Sequence, residues 1–552
     1  MIPSARWTWS LLGLSSLAGL LNGCLMTTRP EPGATVPWTR YEAEQARSNV
    51  QATEPTRTYL TPESEAAGRR LVCLEKPGDY MEFTVTRPAN GLVLRYSIPD
   101  SAEGAGMDTT LGLMINGEVQ PRLNLTSRFA WSYGDFPWTN NPASGRGHHF
   151  FDEVQVLIPA VQPGDTIRLT RDEQDAAPSY AIDFIELELV PTPLPRPPNS
   201  VSIAEFGATG QGDGDDAEAY LRMIEAARSQ NKVAWIPAGT YTLGGSFKAM
   251  GGVEIQGAGM WHTRLTGSGA MFYGTGERFA VRDLAVFGLV SARNDMSPDN
   301  FLNGNLGVSS VVERVWIEHM KCGIWSNHGT KNLRVSGCRI RNTMADGINL
   351  CDGTTDSVVE QSHLRNNGDD ALATWSPSGD WSSKQICERN RFLFNTIENP
   401  WHANGLGIYG GRDHEVRGNL VVDTVQSGGG LLISSGHGAI PLAGTILAEN
   451  NRFIRTGGDC YVDGKNGGLW IHAHNSDIEA KIVVRQLEIL DSAHAGITLH
   501  GPRSINDLTF ENVLLQGPNE RGLHIMPGAT AINVKADGLR VVRTAATPSA
   551  AP

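Results

Sequence analysis

From about residue 250 onward, short apolar strands alternate with polar turns in a repeating pattern. One strand of each unit is similar to Asn332–Ile340, and a second strand begins at glycine or aspartate and then alternates apolar residues with others. Aligning this second strand makes the following residues equivalent: Gly323, Gly347, Asp370, Gly407, Gly430, Gly468, Gly496 and Gly522. Their successive spacings of 24, 23, 37, 23, 38, 28 and 26 residues predict stacked coils that bury a shared core.

The units are too short to contain a helix beside their strands, and they lack a leucine-rich consensus. They therefore predict a parallel β-helix and argue against a helical solenoid, a horseshoe, or a propeller with about 40 residues in each blade. Two insertions, 376–387 and 434–442, account for the two long spacings. Because both follow the same strand position, we expect them to project from one side and to form the walls of a cleft.

The residues that precede the repeat predict a helix. Ala217, Leu221, Ile224 and Ala227 fall on one helical face. Asp215 and Asp216 come directly before that face, so they are interpreted as helix-start residues rather than as catalytic groups.

Upstream of residue 190, the chain consists of short alternating strands that Gly, Pro and Asn interrupt. The clearest of these strands are 79–86, 92–98, 111–117 and 183–189. Such strands predict a β-sandwich, which we place at 38–190. Five prolines among the ten residues of Val190–Asn199 predict an extended linker over 191–200, with the β-helix domain at 201–545.

The N-terminus has the pattern of an export signal. Arg6 precedes an apolar stretch that ends at Cys24, which predicts a signal over 1–24, and a Pro/Thr/Gly-rich tether over 25–37 follows. Leu21–Cys24 resembles a bacterial lipobox, which implies a lipid on Cys24 and membrane contact only through that anchor. Ordinary signal cleavage is the alternative. Either interpretation predicts an exported protein, held in the cell envelope or secreted.

Charge and cysteine content exclude several functions. The chain has 46 Lys and Arg against 59 Asp and Glu, a net charge of −13, and such a surface repels nucleic acids and anionic membranes. Seven cysteines among 552 residues are too few for a disulfide scaffold, and none has metal-ligand spacing with another Cys or His. We expect a monomer that needs no cofactor for catalysis.

Three aspartates are the strongest catalytic candidates. Asp346 and Asp369 are 23 residues apart, about one repeat, so we expect them to stack at the strand spacing of roughly 4.8 Å, with Asp370 beside them. Like charges packed together raise at least one pKa, and a general acid needs a raised pKa. Cleavage of a glycosidic bond without a metal requires two carboxyl groups. The alternative is an unreactive row of aspartates at turns.

The motifs Asp346–Asn349 and Gly368–Ala371 resemble those of glycoside hydrolase family 87, the α-1,3-glucanases and mycodextranases. The resemblance covers the second domain and implies hydrolysis of α-1,3-glucosidic linkages in α-glucan or nigeran. Related β-helix glycosidases imply a right-handed parallel β-helix and inversion of the anomeric centre. By that analogy Asp369 is the general acid, and Asp346 and Asp370 hold and deprotonate the attacking water.

The first domain resembles carbohydrate-binding module family 35 in Tyr41–Glu44, Ala89–Asp100 and Ile182–Leu187. The all-β chain would thus be a β-helix glycosidase preceded by a β-sandwich carbohydrate-binding module. The resemblance implies a structural calcium ion with three ligands: Glu42, Glu44 and Asp183. For the two glutamates, a solvated strand face is the alternative.

Aromatic side chains near the predicted cleft are candidates for stacking on sugar rings. On the β-helix they are Trp375, Trp381, Trp401, Tyr409 and Trp470. In the sandwich, the aromatic run Trp131–Trp138 is a candidate sugar platform. Packing within the protein is the alternative for every one of them.

Two other functions stay open at this point. One is hydrolysis of another polysaccharide, as by dextranases or polygalacturonases, although the Gly436–Gly438 tripeptide lies far from Asp370 and no Arg-x-Lys follows it. The other is a surface β-helix that binds polysaccharide without cleaving it, which would leave the three aspartates unexplained.

Overall fold

The computed structural model describes residues 30–460, 464–517 and 521–544. The predicted signal and Cys24 lie outside the described residues. None of the described helices has the length and apolar character needed to cross a membrane. The sandwich and the β-helix belong to one compact unit that begins at Pro32.

Two antiparallel sheets around one apolar core form the N-terminal sandwich. The first sheet contains Trp38–Glu42, Val72–Leu74, Ala89–Ser97, Asp152–Val161 and Tyr180–Glu188. The second contains Arg47–Ser48, Tyr80–Thr84, Asp108–Ile115, Glu118–Val119, Leu123–Thr126 and Thr166–Thr170. Alternation produces these sheets because it places apolar residues on one face: Met81 and Phe83 are buried, and their neighbours are more exposed.

The predicted helix is present at Ala217–Gln230. The Oδ1 atom of Asp215 accepts a hydrogen bond from the backbone N–H of Ala217 (2.9 Å), which confirms its place at the helix start. The buried face consists of Ala219, Tyr220, Met223, Ile224 and Ala227. Leu221 is half exposed, so the face is rotated from the one expected. Shorter helical segments are Ala43–Gln45, Pro62–Glu65, Ala67–Arg69, Pro142–Ser144 and Ile203–Phe206.

Parallel strands from successive coils form a sheet that we call the front sheet. Its strands are Lys248–Met250, Phe272–Thr275, Asn300–Asn305, Cys322–Ser326, Ile348–Cys351, Leu372–Trp375, Leu406–Tyr409, Leu431–Ser434, Leu469–His472, Ile497–His500 and Leu523–Ile525. In the strands Ile348–Cys351 and Leu406–Tyr409, the first and third side chains enter the apolar core, and the second and fourth positions face outward.

Two further ladders, which we call the first and second back ladders, join into one continuous sheet and form the rest of each coil. The first ladder contains Ser200–Ser202, Val233–Ile236, Glu254–Gly257, Ala280–Phe287, Val311–Glu318, Arg334–Ser336, Val358–Glu360, Arg391–Leu393, Glu415–Arg417, Thr445–Glu449, Ile478–Arg485, Ser504–Glu511, Thr530–Ala531 and Val534–Asp537. The second contains Gln211–Asp215, Gly239–Thr242, Thr263–Thr266, the ends of Ala280–Phe287 and Val311–Glu318, Arg339–Arg341, His363–Arg365, Thr396–Glu398, Leu420–Val422, Arg452–Ile454, Glu488–Leu490, Leu514–Gly517 and Arg540–Arg543.

The sequence pattern misses one corner of the coil. The residues expected as a single strand, Asn332–Ile340, are divided at Gly337, whose φ of +62° turns the chain between the two back ladders. Each central coil therefore has three strands where the pattern indicates two.

The front-sheet register also differs from the sequence alignment at two coils. Leu372 pairs with Ile348 and with Leu406, so Ala371 and Gly405 occupy the positions that the alignment gives to Asp370 and Gly407. The insertion after Trp375 obscures this register in the sequence because Gly405 and Gly407 both precede an apolar residue.

The corrected register changes how the three aspartates stack. Asp370, 24 residues after Asp346, is its equivalent in the next coil, and the N–H of Gly347 donates to the carbonyl of Asp370 (3.0 Å). The expectation that Asp369 stacks on Asp346 is therefore wrong by one residue. The next coil places Asn404 in the same row.

The segments expected to act as tether and linker lie against the β-helix. The N–H of Gly33 donates to the carbonyl of Gly418 (2.7 Å), and the N–H of Ala34 donates to the Thr396 hydroxyl (2.9 Å). In the proline-rich segment, the N–H of Leu194 donates to the carbonyl of Ala258 (2.9 Å). At these points, both segments are hydrogen-bonded to the β-helix and do not act as free linkers.

Buried ion pairs join the sandwich to the second back ladder. The carboxylates of these pairs come from the sandwich and the guanidinium groups from the β-helix. They are Glu153, Glu186 and Glu188 on one side and Arg339, Arg341 and Arg365 on the other. All six side chains are buried. This contact fixes the sandwich next to the corner where the three aspartates lie.

Candidate active site

Asp346, Asp369 and Asp370 converge at the corner between the second back ladder and the front sheet. Asp346 directly precedes the front strand Ile348–Cys351, and the other two precede Leu372–Trp375. One carboxylate oxygen of each lies within 4.8 Å of the others. Asp346 and Asp370 are buried, and Asp369 keeps about a quarter of its side chain exposed.

Asp370 is held by groups from the next coil. The Tyr409 hydroxyl donates to its Oδ2 (2.5 Å), while the backbone N–H and side-chain amide of Asn404 donate to its Oδ1 (2.9 and 2.8 Å). Burial and the neighbouring Asp369 raise the pKa of Asp370 to about 7 against these hydrogen bonds. Sequence reasoning missed Asn404. In the correct register, Asn404 is the equivalent of Asp346 and Asp370 in the next coil.

Asp369 has a different electrostatic environment because Arg293 pairs with it. The Arg293 Nη2 donates to the Asp369 Oδ2 (2.5 Å), and its Nε donates to Asp295 (2.7 Å). Burial acts to raise the pKa of Asp369, but Arg293 and His402 outweigh it and hold that pKa below the ordinary value. Burial, Asp369 and Asp370 together raise the pKa of Asp346 well above its usual range.

Gly407 leaves room for this arrangement. A Cβ atom at this position would lie 2.5 Å from the Asp370 Oδ2 and 2.6 Å from the Tyr409 Cε2. Any larger side chain would displace the carboxylate or the ring that orients it. The glycine that the sequence pattern presents as the start of a strand is therefore required by the site.

Two cavities meet at the aspartates. The first has a volume of about 760 Å³, and the second about 660 Å³. Asp369, Tyr409 and His437 line both of them, while Asp346 and Asp370 line the second. His437 belongs to the 434–442 insertion, so that insertion contributes to a cleft as expected. A polymer lying through both cavities would pass directly over the carboxylates.

Tryptophans form a wall of the second cavity. Trp375 and Trp381 line it, with their ring centroids 5.2 Å apart, and Trp381 is 64% exposed. Trp325, which sequence reasoning missed, lines the same cavity and packs edge-on against Trp375 at 6.3 Å. Its outward position in the strand Cys322–Ser326 is the signal that would have identified it.

The other aromatic candidates have different roles. Trp401 is 1% exposed, lines neither cavity, and packs against Trp138 and His149 of the sandwich at 4.9 and 5.0 Å. Its expected contact with substrate is therefore wrong, because the side chain is enclosed at the junction of the two domains. Tyr409 orients Asp370, and Trp470 lines the inner edge of the first cavity while almost fully buried.

The sandwich contributes the opposite wall of the first cavity. Among its lining residues are Asp135, Phe136, Trp138, Arg146 and His148. Part of the aromatic run Trp131–Trp138, the candidate sugar platform, thus lies over the cleft of the β-helix. Nothing in the repeat pattern indicates this, because the contact depends on how the two domains pack.

The expected calcium ligands are only partly brought together. Glu42 and Glu44 line a cavity of about 230 Å³, and each has a buried carboxylate oxygen that accepts no hydrogen bond within the described part of the chain. Asp183 is instead fully buried and neutralised by Arg95, and the Ala67 N–H also donates to it (3.0 Å). The expectation is therefore wrong for Asp183, and for the two glutamates calcium stays a prediction.

Two family models match the chain. The α-1,3-glucanase catalytic domain D1 matches residues 35–190, and the α-1,3-glucanase catalytic domain D2 matches residues 216–538. The first model describes the sandwich as part of a catalytic unit, and its resemblance to carbohydrate-binding module family 35 stays a prediction. No curated protein matches the chain in sequence.

Solved structures give the same relationship. The catalytic unit of a thermostable GH87 α-1,3-glucanase from Streptomyces thermodiastaticus strain HF3-3 is 32% identical with a TM-score of 0.79, over 93% of this chain and 96% of that one. The Agl-KA catalytic domain is 27% identical with a TM-score of 0.80, over 94% and 100%. A GH87 α-1,3-glucanase catalytic domain in complex with nigerose shares the fold at 24% identity and a TM-score of 0.75, over 93% and 96%. The chain therefore belongs to the α-1,3-glucanase catalytic-domain family, glycoside hydrolase family 87, and is a glycoside hydrolase.

Proposed function

We propose that the protein hydrolyses α-1,3-glucosidic linkages in α-glucan. The three clustered aspartates at the junction of two cavities carry this proposal. The Arg and Lys side chains that line the second cavity are already engaged: Arg293 pairs with Asp369 and Asp295, and the Lys321 ammonium donates to backbone carbonyls. A cavity whose Arg and Lys side chains are satisfied internally favours a neutral glucan over an anionic pectin at the aspartates.

We assign the catalytic roles of the three aspartates from their protonation states. Arg293 keeps Asp369 ionised, which is the state of a base that takes a proton from the attacking water. Asp346 and Asp370 have raised pKa values, so together they hold the proton that the leaving glycosidic oxygen needs. This division reverses the roles implied by the family analogy, in which Asp369 is the acid.

Inversion of the anomeric carbon is part of the proposal, and it rests on the resemblance to β-helix glycosidases. Inverting enzymes usually keep about 6.5–9.5 Å between acid and base carboxyls to admit the water. The nearest oxygens of this trio are closer, within 4.8 Å. Carboxyl separation therefore gives no support for inversion, and the anomer of the first product is the decisive observation.

Export and attachment belong to the same proposal. The apolar stretch that ends at Cys24 supports export, and Leu21–Cys24 supports a lipid on that cysteine. The mass of the mature N-terminal peptide distinguishes acylation from ordinary cleavage. Glu42 and Glu44 are proposed to hold calcium, which metal analysis of the purified protein tests directly.

We expect reducing sugars to be released from α-1,3-glucan and nigeran, and little or none from dextran or polygalacturonate. Proton NMR during the first turnovers should show the β-anomer at the new reducing end if the α-linkage is inverted. Release from dextran or polygalacturonate at a higher kcat/KM than from α-1,3-glucan would contradict the substrate assignment. Binding of α-1,3-glucan without any product would favour the non-catalytic alternative.

Replacing Arg293 by glutamine is expected to shift one limb of the pH–activity profile. Loss of the cation raises the pKa of Asp369, so the acidic limb of kcat/KM should move to higher pH if Asp369 is the base. The alkaline limb, set by loss of the proton that the Asp346–Asp370 pair holds, should move less, because Arg293 binds Asp369 directly and affects the pKa of Asp346 less than burial and the neighbouring aspartates do. The matched variant Arg293→Lys keeps the charge and should keep the wild-type acidic limb. A larger shift of the alkaline limb than of the acidic limb would instead make Asp369 the proton donor.

A further inference from the structure

The sandwich presents an exposed aromatic ring at the edge of the first cavity. Phe136 is 55% exposed and lies in the loop between the short paired strands Ser132–Tyr133 and Gly147–His148. It lines the cavity that Asp369 also lines. Because this exposed ring lines a cavity next to the aspartates, it is a candidate contact for a bound ligand.

The loop that bears Phe136 is anchored to the β-helix. Trp138, two residues later, is 3% exposed, and its ring lies 4.9 Å from that of Trp401 and 4.3 Å from that of His402. The Phe136 ring lies nearly parallel to the His402 ring at 6.2 Å. Its position relative to the front sheet is therefore determined by packing between the two domains.

The Phe136 ring is also close to the catalytic aspartates. The Arg293 guanidinium carbon lies 4.9 Å from the Phe136 centroid, and the Nη2 of Arg293 lies 2.5 Å from the Asp369 carboxylate. A single guanidinium group thus separates the ring from the catalytic aspartates. A sugar bound against Phe136 would be close along the chain to the sugar being cleaved.

We propose that Phe136 is a glucan-binding residue, on which a sugar of the bound α-glucan chain stacks. Pyranose rings offer apolar C–H faces that pack on aromatic rings, and the ring is exposed and held in place where such a chain would leave the aspartates. The sandwich then binds substrate within the catalytic cleft and favours chains long enough to reach it. This inference rests on the proposed function.

The test compares wild type with Phe136→Ala on two soluble α-1,3-linked glucan oligosaccharides, one short and one long. We expect KM for the long substrate to rise about 5- to 10-fold, equivalent to about 1–1.4 kcal/mol, and KM for the short one to change less than about twofold. Calorimetric binding of the long oligosaccharide in the Asp346→Asn background should weaken by the same factor. Phe136→Tyr keeps the ring and should restore both values.

The control is Leu157→Ala, which removes another exposed apolar side chain (53% exposed) from the sandwich, away from both cavities. It should leave KM unchanged for both substrates. If wild type cleaves α-1,3-glucan while Phe136→Ala binds and cleaves the long oligosaccharide as wild type does, the inference is wrong and the proposed function stands. If wild type cleaves none of the α-1,3-linked substrates, the proposed function itself fails.

Discussion

Replacing Asp369 by asparagine is expected to lower kcat on α-1,3-glucan about 1,000-fold. An amide of the same shape cannot ionise, so it can neither take a proton from water nor give one to the glycosidic oxygen, and such groups contribute roughly 10²- to 10⁴-fold. Asp346→Asn and Asp370→Asn should lose activity to a similar extent, because the three carboxyl groups titrate as one coupled set. Reducing-sugar assays with thermal denaturation of each variant measure the effect.

Non-additivity provides a sharper test of the trio. If the aspartates act as a unit, the double variant Asp346→Asn/Asp369→Asn should be only slightly slower than either single variant. Asp108→Asn, at an exposed position of the sandwich, is the matched control and should behave as wild type. Near-wild-type turnover by Asp369→Asn would remove the site from consideration, whatever the other variants do.

The β-helix was predictable because every coil repeats the same alternation of core and outward residues. That alternation also indicated the corner with the aspartates, since Asp346 and Asp370 each stand two residues before a front strand, although the alignment stacked Asp369 on Asp346. Register failed at two neighbouring coils: the alignment put Asp370 in the place of Ala371, and a 12-residue insertion precedes the next coil. There, Gly405 and Gly407 fit the pattern equally well, and only hydrogen bonding between strands decides between them.

The charge state of the site was not predictable, because it depends on a residue outside the repeat. Arg293 lies in the long connection between Ala280–Phe287 and Asn300–Asn305, 76 residues from Asp369 in sequence. Nothing in the spacing of the aspartates distinguishes which of them has a cationic partner. That partner favours Asp369 as the carboxyl that stays ionised, and so it supports the proposed reversal of the roles inferred from analogy.

Aromatic residues show the same limit. In the sequence, Trp381 and Trp401 are alike as aromatic candidates near the cleft, yet Trp381 is 64% exposed in the cleft and Trp401 is 1% exposed. The difference arises because the sandwich covers Trp401. A proline-rich linker indicates independent domains, whereas buried charges on both sides of the contact make the domains depend on each other.

The last prediction concerns that contact. Arg365→Met is expected to lower the free energy of unfolding by about 3–5 kcal/mol, measured as a lower urea midpoint. The guanidinium group is fully buried and binds Glu153 (2.6 Å) and Glu186 (2.7 Å) of the sandwich, as well as Glu398 (2.9 Å). Methionine fills a similar volume but leaves these carboxylates short of a cation, and an uncompensated buried charge is costly.

Arg389→Met is the matched control, because the Arg389 side chain is 48% exposed and pairs with Asp356 at 2.6 Å. The Arg389→Met change should lower the free energy of unfolding by no more than about 1 kcal/mol. Equal urea midpoints for the Arg365→Met and Arg389→Met variants would contradict the conclusion that buried charge joins the sandwich to the β-helix.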